Sequence, residues 1–253
     1  MAGNRRGIGR RASATLLLAA ALTAPGAFAQ SPEGEAPKAK VDPKINEQFQ
    51  KPGHARDFIE RFESESREVY AKREAIVAAL GLKPGMAVAD VGAGSGLFTR
   101  LFADKVGPEG RVYAVDVSKE FLEHIASEAR KHGRKQIQTV EGAQDGTNLQ
   151  PGSVDLVFLS DVYHHFEDHE KMLASIRQAL RPGGTLILIE FDRVKGKSSD
   201  FVLKHVRAGQ DEFIKEIEGA GFKRDDRGPR PELKENFFAR FHKVEPATPA
   251  REP

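Results

Sequence analysis

The chain has 253 residues, enough for one large domain with extensions, and no cysteine, which excludes disulfides, thiol catalysis and thiolate-held metals. Its 39 basic and 37 acidic residues give a formal net charge of +2. Four of the arginines (Arg5, Arg6, Arg10 and Arg11) belong to the first dozen residues; without them the balance is 35 to 37, and no basic stripe with interleaved aromatics remains to suggest a nucleic-acid partner.

Those four arginines precede an apolar run at 14–22, and Ala27-Phe28-Ala29 then forms an A-x-A cleavage site before Gln30. A signal peptide over 1–29 is expected, with the mature protein periplasmic or secreted. The apolar run is too short to span a bilayer as a stable helix, so no stable membrane anchor is expected after cleavage. Residues 30–53 carry Pro32, Pro37, Pro43 and Pro52 among Lys, Glu and Gln, and are expected to form a polar linker that does not pack. The folded domain is expected over 54–244, with a disordered proline-bearing tail at 245–253.

From Arg56 the pattern turns helical. Phe58, Ile59 and Phe62 form one apolar stripe; Val69, Ala75, Ile76, Ala79 and Leu80 form another that ends at Gly81. Strands and helices then alternate: strand 86–91, helix 95–105, strand 111–116, helix 118–132, strand 136–140, strand 154–160, helix 167–180 and strand 184–191. Leu173, Ile176 and Leu180 recur at helical spacing and belong to a core face. Residues 201–220 are helical with a break near Gly209, and two closing strands start at Phe222 and cover Phe237–Phe241. Such alternation predicts a doubly wound α/β fold, a mostly parallel seven-stranded sheet under an N-terminal helical cap.

One segment carries most of the functional information. Val88-Ala89-Asp90-Val91 reads as a strand, Gly92-Ala93-Gly94-Ser95-Gly96 as a turn, and a helix opens at Leu97. Glycines there admit positive φ and close approach to a ligand, and the helix N-terminus offers unpaired N–H groups. The dinucleotide spacing G-x-G-x-x-G fails in both registers, because Leu97 and Thr99 replace its last glycine. Asp116 ends the next strand, 24 residues after Gly92, where a carboxylate suits the two hydroxyls of a ribose; a helix N-cap is its structural alternative.

An acidic residue two before G-x-G-x-G, an acidic strand end, an Asp145-Gly146 turn before strand 154–160, and Leu180-Arg181-Pro182-Gly183-Gly184 before strand 184–191 together resemble the class I S-adenosylmethionine-dependent methyltransferases. The resemblance covers about residues 84–192. It implies the Rossmann-like methyltransferase fold, S-adenosyl-L-methionine as cofactor, and cofactor contacts from Asp90, Gly92, Gly94, Gly96, Asp116, Val117, Asp145, Gly146 and Ser160. In that family an Asp at the place of Asp145 meets the adenine amine; a surface Asp-Gly turn is the alternative reading.

Ligands in open α/β sheets bind beyond the C-terminal strand ends, at the switch in strand order. The loop Asp161-Val162-Tyr163-His164-His165-Phe166 therefore stands at the mouth of the site. His164 or His165 is a candidate base, with Asp161 orienting it and Tyr163 on the substrate; a loop-holding role is the alternative. Asp161, His164, His165, Glu190 and Asp192 converge on one edge, but adjacent histidines rarely ligate one ion together, and no metal is expected. His205 to Gly209 is expected to be an ordinary helix start rather than a lid. The expected activity is methyl transfer to an unidentified small-molecule acceptor; the alternative is an exported binding protein of the same fold without turnover.

Overall fold

Seven strands run in the order β3-β2-β1-β4-β5-β7-β6 in one sheet. The structure, a computed structural model, describes Val41 and residues 44–245 apart from the side chain of Gln50. The expected signal peptide, most of the expected linker and nearly all of the expected tail lie outside the described residues.

The strands are β1 (Ala87–Val91), β2 (Arg111–Asp116), β3 (Ile137–Glu141), β4 (Val154–Ser160), β5 (Leu180–Phe191), β6 (Phe222–Arg224) and β7 (Asn236–Lys243). β1 pairs in parallel with β2 and β4, and β4 in parallel with β5; β7 lies antiparallel between β5 and β6. The mostly parallel seven-stranded sheet is the architecture expected, and its two closing strands form the antiparallel end. β1 is buried along its whole length because helices cover both faces, which is why it shows no polar alternation.

Nine α-helices surround the sheet among the described residues: α1 (Lys44–Glu47), α2 (His54–Phe62), α3 (Glu68–Ala71), α4 (Arg73–Ala79), α5 (Leu97–Val106), α6 (Lys119–Lys131), α7 (His169–Ala179), α8 (Asp200–His205) and α9 (Gln210–Gly219). Alternate residues of β4 serve opposite faces. Val157 and Leu159 join Leu173 and Ile176 of α7 with Phe213 and Ile217 of α9. Leu156 and Phe158 join Ile76 of α4 with Phe98 and Phe102 of α5. There Phe158 meets Phe98 at 4.7 Å and Phe102 at 5.1 Å between ring centroids. Each such buried ring contributes about 1.5–3 kcal/mol.

Two boundaries differ from expectation. Leu180-Arg181-Pro182-Gly183-Gly184 is the first part of β5 rather than a helix end with a turn: Leu180 pairs with Val154, the register then shifts, and Thr185 pairs with Leu156. Pro182 cannot continue α7, and Gly183 at φ 71° supplies the irregularity. The helical stretch 201–220 is two helices, because residues 206–209 leave helical geometry between α8 and α9.

The larger difference is at the N-terminus. Lys44–Glu47 is helical, Gln48–Gln50 forms a 3₁₀ turn, and Asn46 is buried. The expected unpacked linker therefore ends before residue 44. Asn46 has a tertiary anchor invisible to composition: its amide donates to the His165 carbonyl at 3.0 Å and to Glu167 Oε1 at 3.2 Å.

Candidate active site

At the C-terminal ends of β1, β2, β4 and β5 lies a cavity of about 640 Å³. That is within the roughly 300–1,000 Å³ usual for small-molecule pockets. It runs from the glycine turn and Asp116 to His164, His165 and His205.

Gly92, Gly94 and Gly96 all have positive φ, at 74°, 52° and 75°. Their surroundings differ. A Cβ on Gly92 would stand 2.3 Å from Val162, and one on Gly94 would press on the Phe62 ring at 3.2 Å. A Cβ on Gly96 would meet Ile125 of α6 at 2.7 Å, and Gly96 is absent from the cavity wall. Gly96, expected to touch the cofactor, instead lets α5 and α6 approach each other. The sequence spacing alone cannot separate a glycine needed for a ligand from one needed for packing.

Two carboxylates flank this turn. Asp116 takes the Gly94 N–H on Oδ2 and the Ser118 N–H on Oδ1, both at 2.9 Å. Ser118, not Asp116, caps α6, accepting the Phe121 N–H. Burial pushes the Asp116 carboxyl above its usual range, against the lowering effect of these N–H groups. Asp90 is buried, accepts from the Thr99 hydroxyl at 2.6 Å and is pushed up to about 7 by loss of solvation. Val117 and Phe121 lie beside Asp116 on the cavity wall, with Gly146 and Ser160 also lining it.

Asp145 does not join them. Its side chain is exposed, 3.6 Å from Lys171 Nζ, and Gln144 and Gly146 line the cavity in its place. The Asp-Gly turn is the surface turn of the alternative reading: the Ala143–Gly146 bridge leaves the intervening Asp145 facing water.

At the other end, Asp161 has φ 50°, a left-handed conformation that Asp tolerates better than most residues. Its carboxylate accepts from Arg67 and from Asn236 Nδ2, each at 2.5 Å. Burial raises it to about 6, despite Arg67. Asp161 thus ties the helical cap and β7 to the loop rather than orienting a histidine. The carboxylate beside His164 is that of Glu190: Oε2 is 2.9 Å from His164 Nδ1 and also accepts the His164 N–H at 3.2 Å.

Tyr163 does not reach the cavity wall. It is fully buried, packs on Phe213 and Phe166, and donates to Glu216 at 2.9 Å, while Arg207 grips Glu216 with two nitrogens at 2.7 and 2.6 Å. The reason is the 3₁₀ turn at Tyr163–His165, which sends Tyr163 into the core under α9 and both histidines to the cavity. Asp192 likewise leaves the site, its carboxylate 3.4 Å from Lys197.

His165 Nδ1 is 2.9 Å from Asn46 Oδ1. Since the Asn46 amide nitrogen is committed elsewhere, its oxygen accepts and His165 Nδ1 carries the proton. Burial, then the neighbouring histidines His164 and His205, push His165 down to about 2; burial and His164 push His205 down to about 4. Both are neutral imidazoles at physiological pH, and His165 is too weak a proton acceptor to serve as an ordinary base.

The cap completes the walls. Phe49, Phe58, Phe62 and Phe121 form a chain of rings with centroids 4.9–6.5 Å apart over the glycine turn, and Phe49 meets His165 edge-on at 5.5 Å. His54 reaches Ser118 at 2.9 Å, Glu120 accepts the Gly53 and Ala55 N–H groups, and Arg100 holds Glu63 with contacts of 3.0 and 2.6 Å. The apolar stripe of α2 signalled part of this cap; nothing in the sequence signalled Asn46 or Arg67.

Residues 89–188 match the family described as the methyltransferase domain. The chain is 28% identical over 114 residues to a ubiquinone/menaquinone biosynthesis C-methyltransferase of Hahella chejuensis, covering 45% of this chain and 46% of that protein. The matched stretch thus spans about half the length of that relative. A solved S-adenosylmethionine-dependent methyltransferase from Aquifex aeolicus aligns with TM-score 0.58 and 23% identity over 81% of this chain and all of that one. A structure described as a possible exported protein from Bordetella parapertussis aligns with TM-score 0.54 and 17% identity, over 70% of this chain and 69% of that one. Over residues 89–188 the chain is similar to a methyltransferase domain, and its fold is that of the solved methyltransferases it aligns with. S-adenosylmethionine is the cofactor of such domains.

Proposed function

We propose that this protein is an exported S-adenosylmethionine-dependent methyltransferase acting on a small molecule. The observation that carries the reading is one continuous cavity with two chemically distinct ends: a glycine turn with buried carboxylates at one, and a histidine-rich, aromatic wall at the other. Export is supported by the basic, apolar and A-x-A order of residues 1–29.

S-adenosylmethionine supplies, when bound, an electrophilic methyl group on a positively charged sulfur. The residues present fit that group. The glycine turn brings backbone, not side chains, to the cavity surface, and Asp116 offers acceptor oxygens for a vicinal diol. Val117 and Phe121 provide apolar walls for a flat ring, and the Asp90 and Asp116 carboxyls favour a cation. At the far end Phe191, Phe201 and the three histidines line the space for an acceptor, and holding it there supplies much of the rate.

The test is release of S-adenosylhomocysteine by the purified mature chain across phenols, amines and quinols, beside calorimetric titration with S-adenosylhomocysteine itself. Tight binding with turnover of one acceptor class supports the reading. Absence of binding overturns it.

A further inference from the structure

His164, His165 and His205 come from two separate parts of the chain, yet a ring nitrogen of each lies within 4.8 Å of the others. Ring centroids of His164 and His165 are 4.2 Å apart, and His205 stands edge-on to them at 5.0 and 5.3 Å. Two nitrogens on one tetrahedral zinc ion are about 3.3 Å apart, so small side-chain rotations gather all three.

We propose that these three histidines form a binding site for a borderline divalent transition metal of the zinc type at the acceptor end of the cavity. The site requires only the geometry of the cluster, whether or not the chain transfers methyl groups.

Three observations converge on it. First, His164 is 1% exposed and makes no hydrogen bond from either ring nitrogen; its Nδ1 is near Glu190 but out of alignment, and its Nε2 has no partner. A buried ring nitrogen such as Nε2, left without a hydrogen bond, costs free energy that a bound cation would recover. Second, groups stand behind two of the rings as they do behind metal-bound histidines: Glu190 behind His164 Nδ1, and Asn46 Oδ1 behind His165 Nδ1. The Asn46 contact sets the His165 tautomer, leaving the Nε2 lone pair available. Third, the rings line a cavity rather than a closed core, so an ion has an entry path and an open coordination position. Three neutral nitrogen ligands select zinc, cobalt, nickel or copper over magnesium or calcium, which prefer oxygen. The open position faces the space assigned to the acceptor and suits an oxygen or nitrogen donor.

The test uses the mature chain without a polyhistidine tag, stripped with chelator and titrated with Co²⁺, then with Zn²⁺ in competition. One equivalent of Co²⁺ with intense visible bands of low-coordinate geometry, displaced by Zn²⁺, is expected. His205→Ala, at a half-buried rim position, should keep its circular dichroism and lose more than about a hundredfold in affinity, beyond the roughly 10–100-fold expected for Asn46→Ala. His132→Ala, on the exposed end of α6, should bind as wild type. Failure of the wild type to bind Co²⁺ or Zn²⁺, or unchanged binding in folded His205→Ala, overturns the site. S-adenosylhomocysteine titration of the same metal-free samples reports on the cofactor cleft independently.

Discussion

Asp90 offers a measurable conflict between stability and function. Its carboxyl has an ordinary value of 3.8 and about 7 in the folded protein, with burial the dominant cause and the Thr99 hydroxyl opposing it. The folded state therefore holds this proton between pH 4 and 7 while the unfolded chain releases it. The folded state binding more protons means that stability falls as pH rises through that window and is fully present only below about pH 4. A shift of about three units corresponds to at most about 4 kcal/mol. Asp161, raised to about 6, and Asp116, also raised by burial, add declines of the same sign, so the Asp90 contribution is read as the difference between wild type and a variant that cannot ionise there. Asp90→Asn keeps an oxygen for Thr99 but never ionises. At pH 8 the variant should melt higher than wild type by about 5–15 °C, taking roughly 2–4 °C per kcal/mol for a domain of this size, and the difference should vanish near pH 4. Melting curves by differential scanning calorimetry from pH 4 to 8 check this. The same variant should bind S-adenosylmethionine more weakly, because the buried carboxylate that costs stability is the one that favours a cation. Equal pH slopes for wild type and Asp90→Asn between pH 6 and 7 would falsify the assignment.

Asp116→Ala should weaken S-adenosylhomocysteine binding about ten- to a hundredfold, or 1.5–3 kcal/mol, by calorimetric titration; an unchanged Kd removes Asp116 from the diol-binding role. His164→Ala should retain that binding and lose about 10²–10⁴ in turnover, and His165→Ala about 10²-fold through misplacement of the acceptor rather than loss of a base. Because His165 stays neutral down to about pH 2, the wild-type pH–rate profile should show no limb between pH 5 and 8 that disappears in His165→Ala. Tyr163→Phe should cost about 1–2 kcal/mol of stability through the lost donor to Glu216, with kcat per folded molecule unchanged; a selective fall in kcat would return Tyr163 to the acceptor.

How much of this was legible in the chain follows from the range of the forces involved. The strand–turn–helix at 88–103, the acidic end of β2 and the alternation of elements are local, since hydrophobic period and glycine positions act within a few residues. These carried the mostly parallel sheet and the glycine-turn end of the cavity. Which side of a turn a side chain faces is not local. Tyr163 and His164 are neighbours in sequence, and only the packing of α9 against the 3₁₀ turn sends one into the core and the other to the cavity. Asp145 turned outward because the hairpin bridge at Ala143 and Gly146 set its direction. Gly96 matched the glycine spacing for a reason that resides in Ile125 of α6. The histidine end of the cavity depended most on tertiary structure. Asn46, 119 residues from His165, and His205, forty residues beyond it on another helix, meet there only because the cap and the crossover after β5 fold over the same strand ends. No spacing rule spans such separations, so residues 44–53 read as linker and three histidines read as a pair.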